Sequence, residues 1–343
     1  MKFLLSLLAV LFILSCGGSP MSDSFSSNKD LTPPVLLDYS VISASEVRFS
    51  FDEAVSVDEE TMSLDPAGEM TVVADEAGGL VVSFPTPRTA GSQSTLYLDV
   101  SDGEGNTNWF LLEFYAPNGN QPGLVINEVS PNGTSSRPDM VEFYVRSGGN
   151  TAGLALVLGT EDNRKGEYDF PEMELAEGEY IIFHCRPEGE EGEISETGDD
   201  LSLSTGTRSE EGVRDLWPDE DMNLSGTSGI LTLLSLPQNG VCLDRLIYTN
   251  RTCDPDDSYV GWTSTIWPRI EELSLMGEEE RGWFMEGEVI FPDECVWSDD
   301  TTSTRTLCRS SLSEDSDSAG DWHTAPTGGC SFGYPNGDEC YEP

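Results

Sequence analysis

LVINEVSPNGTSSRPDMVEFYV, running from Leu124 to Val145, is the stretch whose reading decides the fold. Two apolar runs, LVINEV and MVEFYV, flank a loop of Pro, Asn, Gly, Thr and Ser, the residues that punctuate a chain between strands. Val141, Phe143 and Val145 alternate with Glu142 and Tyr144, the period of a half-buried strand. The same texture extends in both directions: short apolar runs, 34 Gly and 20 Pro in 343 residues, and no long helical period. Such a chain is all-β, with room for two domains of ordinary size.

The charge balance restricts partners. Seventeen Lys and Arg face 63 Asp and Glu, a formal net charge of −46. A surface of that sign repels phosphate backbones and anionic headgroups, so no direct nucleic-acid binding is expected. It favours cationic partners, divalent metals included. A solvated acidic surface with no specific partner accounts for the same composition.

Several motifs of the second half resemble the lamin-tail domain, an immunoglobulin-like β-sandwich. The first is the opening "INEV, turn, D-x-VE-F" itself. Glu177–Ile182 is similar to that family's "L-x-x-G-x-Y-x-V" strand. Asn223–Gly226 followed by Gly229-Ile-Leu-Thr-Leu-Leu, and Asn239-Gly240 leading to Asp244 and Tyr248, resemble two later elements. Ser311-Leu312, Gly320-Asp321-Trp322 and Gly333-Tyr334-Pro335-Asn336 resemble the closing "S-L … D-W … P-N". The pattern departs at Val145, where Asn is usual, and at Leu154–Gly159. Asp162–Asp169 and Glu188–Leu224 read as acidic, loop-like insertions. The resemblance implies a fold and a class of module, with no ligand attached.

Ahead of it, TPPVLLDYSVISASEVRFSFDEAVSVDEETM, from Thr32, resembles bacterial Ig-like domains of the surface-layer type. Val47, Phe49 and Phe51 alternate with Arg48 and Ser50, as one sandwich face requires. Further strands are expected at Met70–Val73, Leu80–Phe84, Thr95–Val100 and Trp109–Phe114. The first sixteen residues, MKFLLSLLAVLFILSC, have a charged start and an apolar core too short to span a bilayer. Ile13-Leu14-Ser15-Cys16 resembles a bacterial lipobox, which implies acylation of Cys16. An ordinary signal peptide with an unmodified Cys is the alternative. The expected organisation is a lipoprotein signal peptide (1–15), lipidated Cys and flexible tether (16–31), Ig-like domain (32–116), linker (117–123) and lamin-tail-like domain (124–343). The fold class is thus two Ig-like β-sandwiches in tandem behind a lipoprotein signal peptide.

Chemistry-bearing motifs are sparse. His184 and His323 are the two histidines, and neither builds a Ser/His/Asp or Cys/His arrangement from its neighbours in sequence. There is no HExxH, phosphate-binding glycine loop or pair of CxxC motifs. Asp102-Gly-Glu104-Gly-Asn106 half-resembles a calcium loop, and Asp315-x-Asp317 opens a second. A hairpin turn and solvated acidic loops explain these residues better, without metal, so no cofactor is expected. Calcium is the one ion for which Asp102, Glu104, Asn106, Asp315 and Asp317 are candidate ligands. Trp217, Trp262, Trp267 and Trp297 read as core. An exported chain meets oxidising conditions, and short spacings suggest Cys242–Cys253, Cys295–Cys308 and Cys330–Cys340 as disulfides. Cys185 is left as a buried free thiol.

The sequence therefore reads as a non-enzymatic protein of the cell envelope, lipid-anchored at the outer membrane. It would present its sandwiches for binding or adhesion, with the bilayer as one partner through Cys16 and an unidentified protein or glycan as another. The alternative is an accessory or scaffold subunit that tethers a separately encoded envelope nuclease or phosphatase.

Overall fold

The computed structural model describes residues 30–75 and 78–343. Cys16 and the tether up to residue 29 lie outside the described residues. The protein is all-β, built from mainly antiparallel sheets around two main apolar cores.

The first core lies between two sheets. Strands β1 (Leu36–Ser43), β2 (Glu46–Phe51), β3 (Ser56–Val57) and β4 (Ser63–Asp65) come first. They are followed by β5 (Thr71–Ala74), β6 (Leu80–Ser83), β7 (Gln93–Ser101) and β8 (Thr107–Tyr115). One sheet has the order β1-β2-β6-β5; in the other, β7 pairs with β3, β4 and β8. Val47 and Phe49 from the first sheet and Leu96 and Leu98 from the second are all fully buried in the shared core. The two-residue alternation of EVRFSF and STLYLDV aims every second side chain inward.

The second core is larger. It uses β9 (Gly123–Ser130), β10 (Met140–Ser147), β11 (Gly149–Asn150), β12 (Ala155–Gly159) and β13 (Arg164–Asp169). Then come β14 (Glu174–Leu175), β15 (Tyr180–His184), β16 (Arg214–Leu216), β17 (Ser228–Leu234) and β18 (Cys242–Thr249). Helices α1 (Trp267–Leu275) and α2 (Glu278–Arg281) precede β19 (Val296–Trp297), β20 (Leu307–Arg309) and β21 (Trp322–Thr324). A six-stranded sheet, β16-β15-β10-β9-β20-β21, faces a five-stranded one, β13-β12-β17-β18-β19. Ile126, Phe143 and Phe183 from one sheet meet Leu156, Leu231 and Ile247 from the other.

Several expectations are revised. β10 is buried on both faces rather than half-buried, with Glu142 as inaccessible as Val141 and Phe143. The closing segment, residues 330–336, lies over the outer face and bonds to it. Asp162–Asp169 is not a loop, because RKGEYD carries its own alternation and pairs as β13 with β12. The acidic stretch Glu188–Leu224 contains β16, which pairs in parallel with β15. Trp297 is 43% exposed, at the edge of its sheet, whereas Trp217 and Trp262 are buried.

The stretch 117–122 contains no strand, yet it is tied down. Asn118 Nδ2 donates to Asn150 O at 2.7 Å and Ala152 O at 3.0 Å, and Gln121 Nε2 donates to Ser235 O at 2.5 Å. Gly91 packs backbone to backbone against Gly153, where a Cβ would come within 2.3 Å of the Gly153 nitrogen. Asn239 Nδ2 also donates to the Tyr39 hydroxyl, at 3.1 Å.

Candidate functional site

The turn between β7 and β8 gathers the first acidic group. Asp102 Oδ1 accepts the backbone N–H groups of Glu104 (2.9 Å) and Asn106 (2.7 Å), and Oδ2 accepts Asn106 Nδ2 at 2.5 Å. Burial opposes ionisation of Asp102, but these hydrogen bonds outweigh it and hold the carboxyl below its ordinary range. Carboxylate oxygens of Asp102, Glu104 and Glu53 lie within 4.8 Å of one another. Desolvation, then the charge of Asp102 and of Asp30, Asp52 and Glu104, pushes Glu53 up. Of the expected calcium ligands, Asp102 and Glu104 thus converge, with Glu53 as an unforeseen third. The Asn106 amide is turned to Asp102 and to the Asp30 carbonyl, 3.0 Å away.

Asp315 and Asp317 join Asp244 in a second group within 4.8 Å. This one already holds a cation of the chain. Arg309, 1% exposed in its side chain, stands 2.9 Å from Asp244, 3.1 Å from Asp315 and 3.3 Å from Asp321. Its Nε donates to Ile126 O at 2.8 Å and its guanidinium lies 4.7 Å from the centre of the Trp322 ring. Asp244, fully buried, also accepts the Ile126 N–H at 2.6 Å. The bond network stitches β18, β9 and β20 together, which is a structural task.

A pair of buried carboxylates lies on the six-stranded sheet, where Glu128 of β9 stands opposite Glu142 of β10. Glu128 accepts Thr306 Oγ1 at 2.5 Å and the Ser331 N–H and hydroxyl, each at 3.0 Å. Glu142 accepts Asn127 Nδ2 at 2.8 Å and the Gly333 N–H at 2.5 Å. Asn336 Nδ2 donates to Asn127 O and Arg309 O, each at 3.1 Å. Burial, and then the charge of Glu128, pushes Glu142 well up; burial raises Glu128 as well. Two acids with separated affinities for protons could in principle do acid–base work. Here each carboxylate instead grips the closing segment, Glu128 through Ser331 and Glu142 through Gly333.

The histidines are spoken for too. His184 Nε2 lies 2.6 Å from Asp215 Oδ1, and its ring stacks on Trp217 with centroids 3.8 Å apart. The pair fastens β16 to β15. His323 Nε2 lies 3.3 Å from Cys308 Sγ across the β20–β21 ladder. Burial lowers the His323 pKa and pushes the Cys308 thiol far up. Both shifts favour neutral partners, the reverse of a thiolate–imidazolium nucleophile.

All seven described cysteines are free thiols here. None of the bonds Cys242–Cys253, Cys295–Cys308 or Cys330–Cys340 is formed, because the partners sit in different surroundings. Cys242 opens β18 beside Gly282, Cys295 lies against Phe291 O, and Cys308 faces His323. Cys330 packs near Met140 and Phe332, whereas Cys340 is exposed. Cys185 is fully buried.

Glu53, Glu128, Glu142 and Arg309 carry these clusters and escaped the sequence reading. For Glu128, Glu142 and Arg309 the available signal was a charge inside an apolar strand, as in LVINEV, MVEFYV and TLCRSS, whereas Glu53 follows β2 in a bend and bears no such mark. The class defined by fold and clusters is a β-rich module whose closing strand and tail are held by buried carboxylates. A family model described as TP_1001_2nd, a protein second domain, matches residues 122–324, more than half of the 343 residues, and the chain belongs to that family. The match runs from just before β9 to the end of β21. No curated protein matches the chain.

Proposed function

We propose that this is a lipid-anchored envelope protein of the outer membrane, a lipoprotein carrying an Ig-like and a lamin-tail-like sandwich for non-catalytic binding or adhesion. One observation supports the non-catalytic part most. His184, His323, Glu128, Glu142 and Arg309, the groups best suited to chemistry, are each engaged in holding strands or the closing segment together. The lipobox-like Ile13–Cys16 run supports the anchor. The −46 balance would keep the sandwiches off an anionic leaflet.

The test is fractionation with a fold control. Cys16→Ala should move the protein from the membrane pellet to the soluble fraction and leave its melting curve unchanged. An Ala variant that stays in the pellet at high salt removes the anchor and the display function with it. A hydrolase co-purifying from detergent-solubilised envelopes would replace adhesion by an accessory role.

A further inference from the structure

A cavity of about 380 Å³ opens between the β12–β17–β18 part of the five-stranded sheet and the start of α1. That volume lies at the small end of the range for small-molecule sites. Leu158, Leu224, Ile230, Tyr248 and Ile266 make an apolar wall, and Asn223 with the hydroxyl residues Ser225, Thr227, Ser228, Thr263 and Thr265 completes the lining. Lys165 and Arg269 stand among them, and no Asp or Glu lines it. In a chain with 63 acidic and 17 basic residues, that reverses the charge within this lining, next to a groove where Lys165 also meets Glu167, Asp169 and Asp219.

Both cations are held in place without being neutralised. Arg269 Nε donates to Asn163 O at 2.8 Å and Nη1 to Thr265 O at 3.2 Å. Lys165 Nζ donates to Asn223 O at 3.0 Å. All three acceptors are backbone carbonyls, and neither residue belongs to an ion pair among the described residues. A guanidinium has five N–H donors and an ammonium three, so donors remain on each. The walls are fixed as well. Gly159, at φ +128°, leaves the room in which Arg269 lies, since a Cβ there would stand 3.0 Å from Nε. Tyr248 lies against Gly229, and its hydroxyl donates to Ser225 O at 2.7 Å.

We infer that this cavity binds a small amphipathic monoanion, a carboxylate on an apolar chain or ring. The apolar wall takes the body and the two cations take the carboxylate, a charge-assisted contact. At ~30 Å³ per heavy atom, the share of one water in the liquid, the volume suits roughly twelve heavy atoms. A ten-carbon fatty acid has that size. The surrounding negative surface repels a ligand in proportion to its charge, which favours a single carboxylate over a polyphosphate. The inference rests on the non-catalytic binding reading and gives it a ligand class.

Calorimetric titration of the full chain carrying Cys16→Ala, which removes any acyl group of its own, tests the site. The probes are decanoate, decanol and decylamine. Decanoate should bind with one site in the micromolar range, and decanol and decylamine at least about tenfold more weakly. Arg269→Gln, which keeps a donor for Asn163 O, and the exposed Lys165→Ala should each weaken decanoate about tenfold, whereas Lys165→Arg should restore it. Added salt should weaken it further. Decanol binding as tightly as decanoate, both variants binding like the parent, or no decanoate binding below ~1 mM would each overturn the proposal. Decanoate binding by a chain whose Cys16→Ala form stays in the pellet would leave the site standing and remove only the envelope reading.

Discussion

Arg309 illustrates how a single residue can decide a fold's interior. Its guanidinium neutralises Asp244 and caps the Ile126 and Glu314 carbonyls, while its plane rests near Trp322. Removing it strands a fully buried carboxylate, and breaking such a pair costs about 3–5 kcal/mol. Arg309→Ala should therefore lower the urea midpoint steeply, and adding Asp244→Asn should recover part of the loss; equal midpoints for parent and Arg309→Ala would contradict the network. Glu142 behaves differently, because burial and the neighbouring Glu128 raise its pKa above the ordinary 4.5. The folded state thus holds this proton more tightly than the unfolded chain does. The stability contributed is complete below about pH 4.5 and is lost as pH rises through the raised folded value. In Glu142→Gln that decline should flatten, as read from unfolding curves between pH 4 and 8. The unpartnered Asn127 Oδ1 is near enough to accept from the new amide after a flip of the Asn127 side chain. An unchanged pH profile would show that Glu142 does not titrate in this range.

Strands with alternation in the sequence, β2, β7 and β10, declare themselves, because every second side chain is apolar and the register follows. The elements that hide are those whose partners are distant in sequence. β16 is three residues inside an acidic loop, and it becomes a strand only because β15 offers a free edge and His184 meets Asp215 there. Likewise the clustering of Glu53 with Asp102, or of Asp244 with Asp315, depends on turns and crossovers that no local spacing encodes. Local spacing likewise suggested disulfides between cysteines that the folded strands put in different surroundings. The His184–Asp215 bond can be tested as the fastener of its element. His184→Phe keeps a ring on Trp217 but leaves the buried Asp215 Oδ1 without its histidine partner, while Oδ2 keeps the Glu210 N–H, a loss of about 1–3 kcal/mol. Proteolysis should then cut first within the acidic loop, residues 188–213, and His184→Phe with Asp215→Asn should slow that cutting. Cleavage beginning elsewhere would place the weak point outside β16.

At the scale of the whole chain, two apolar cores were foreseeable from composition and alternation, while the way they are joined was not. Pro and Gly in APNGNQPG announce a linker, yet its Asn118 and Gln121 side chains bond to carbonyls of the second unit. Beside them Gly91, at φ +69°, touches the backbone of Ala152 and Gly153, a contact no residue with a Cβ can make. The seam therefore depends on a missing side chain, a feature that sequence patterning cannot reveal. Gly91→Val should be doubly unfavourable there, since it adds a β-branched residue at positive φ and places Cβ 2.3 Å from the Gly153 nitrogen. Neither core includes Gly91, so both should stay folded while the seam opens. Amide exchange should accelerate at Asn150, whose N–H donates to Asn120 O, and at Ala116, while the amides of β10 and β15 keep their protection. The radius of gyration from solution scattering should rise in parallel. If exchange and scattering both match the parent, the two units are held together by contacts other than this glycine seam.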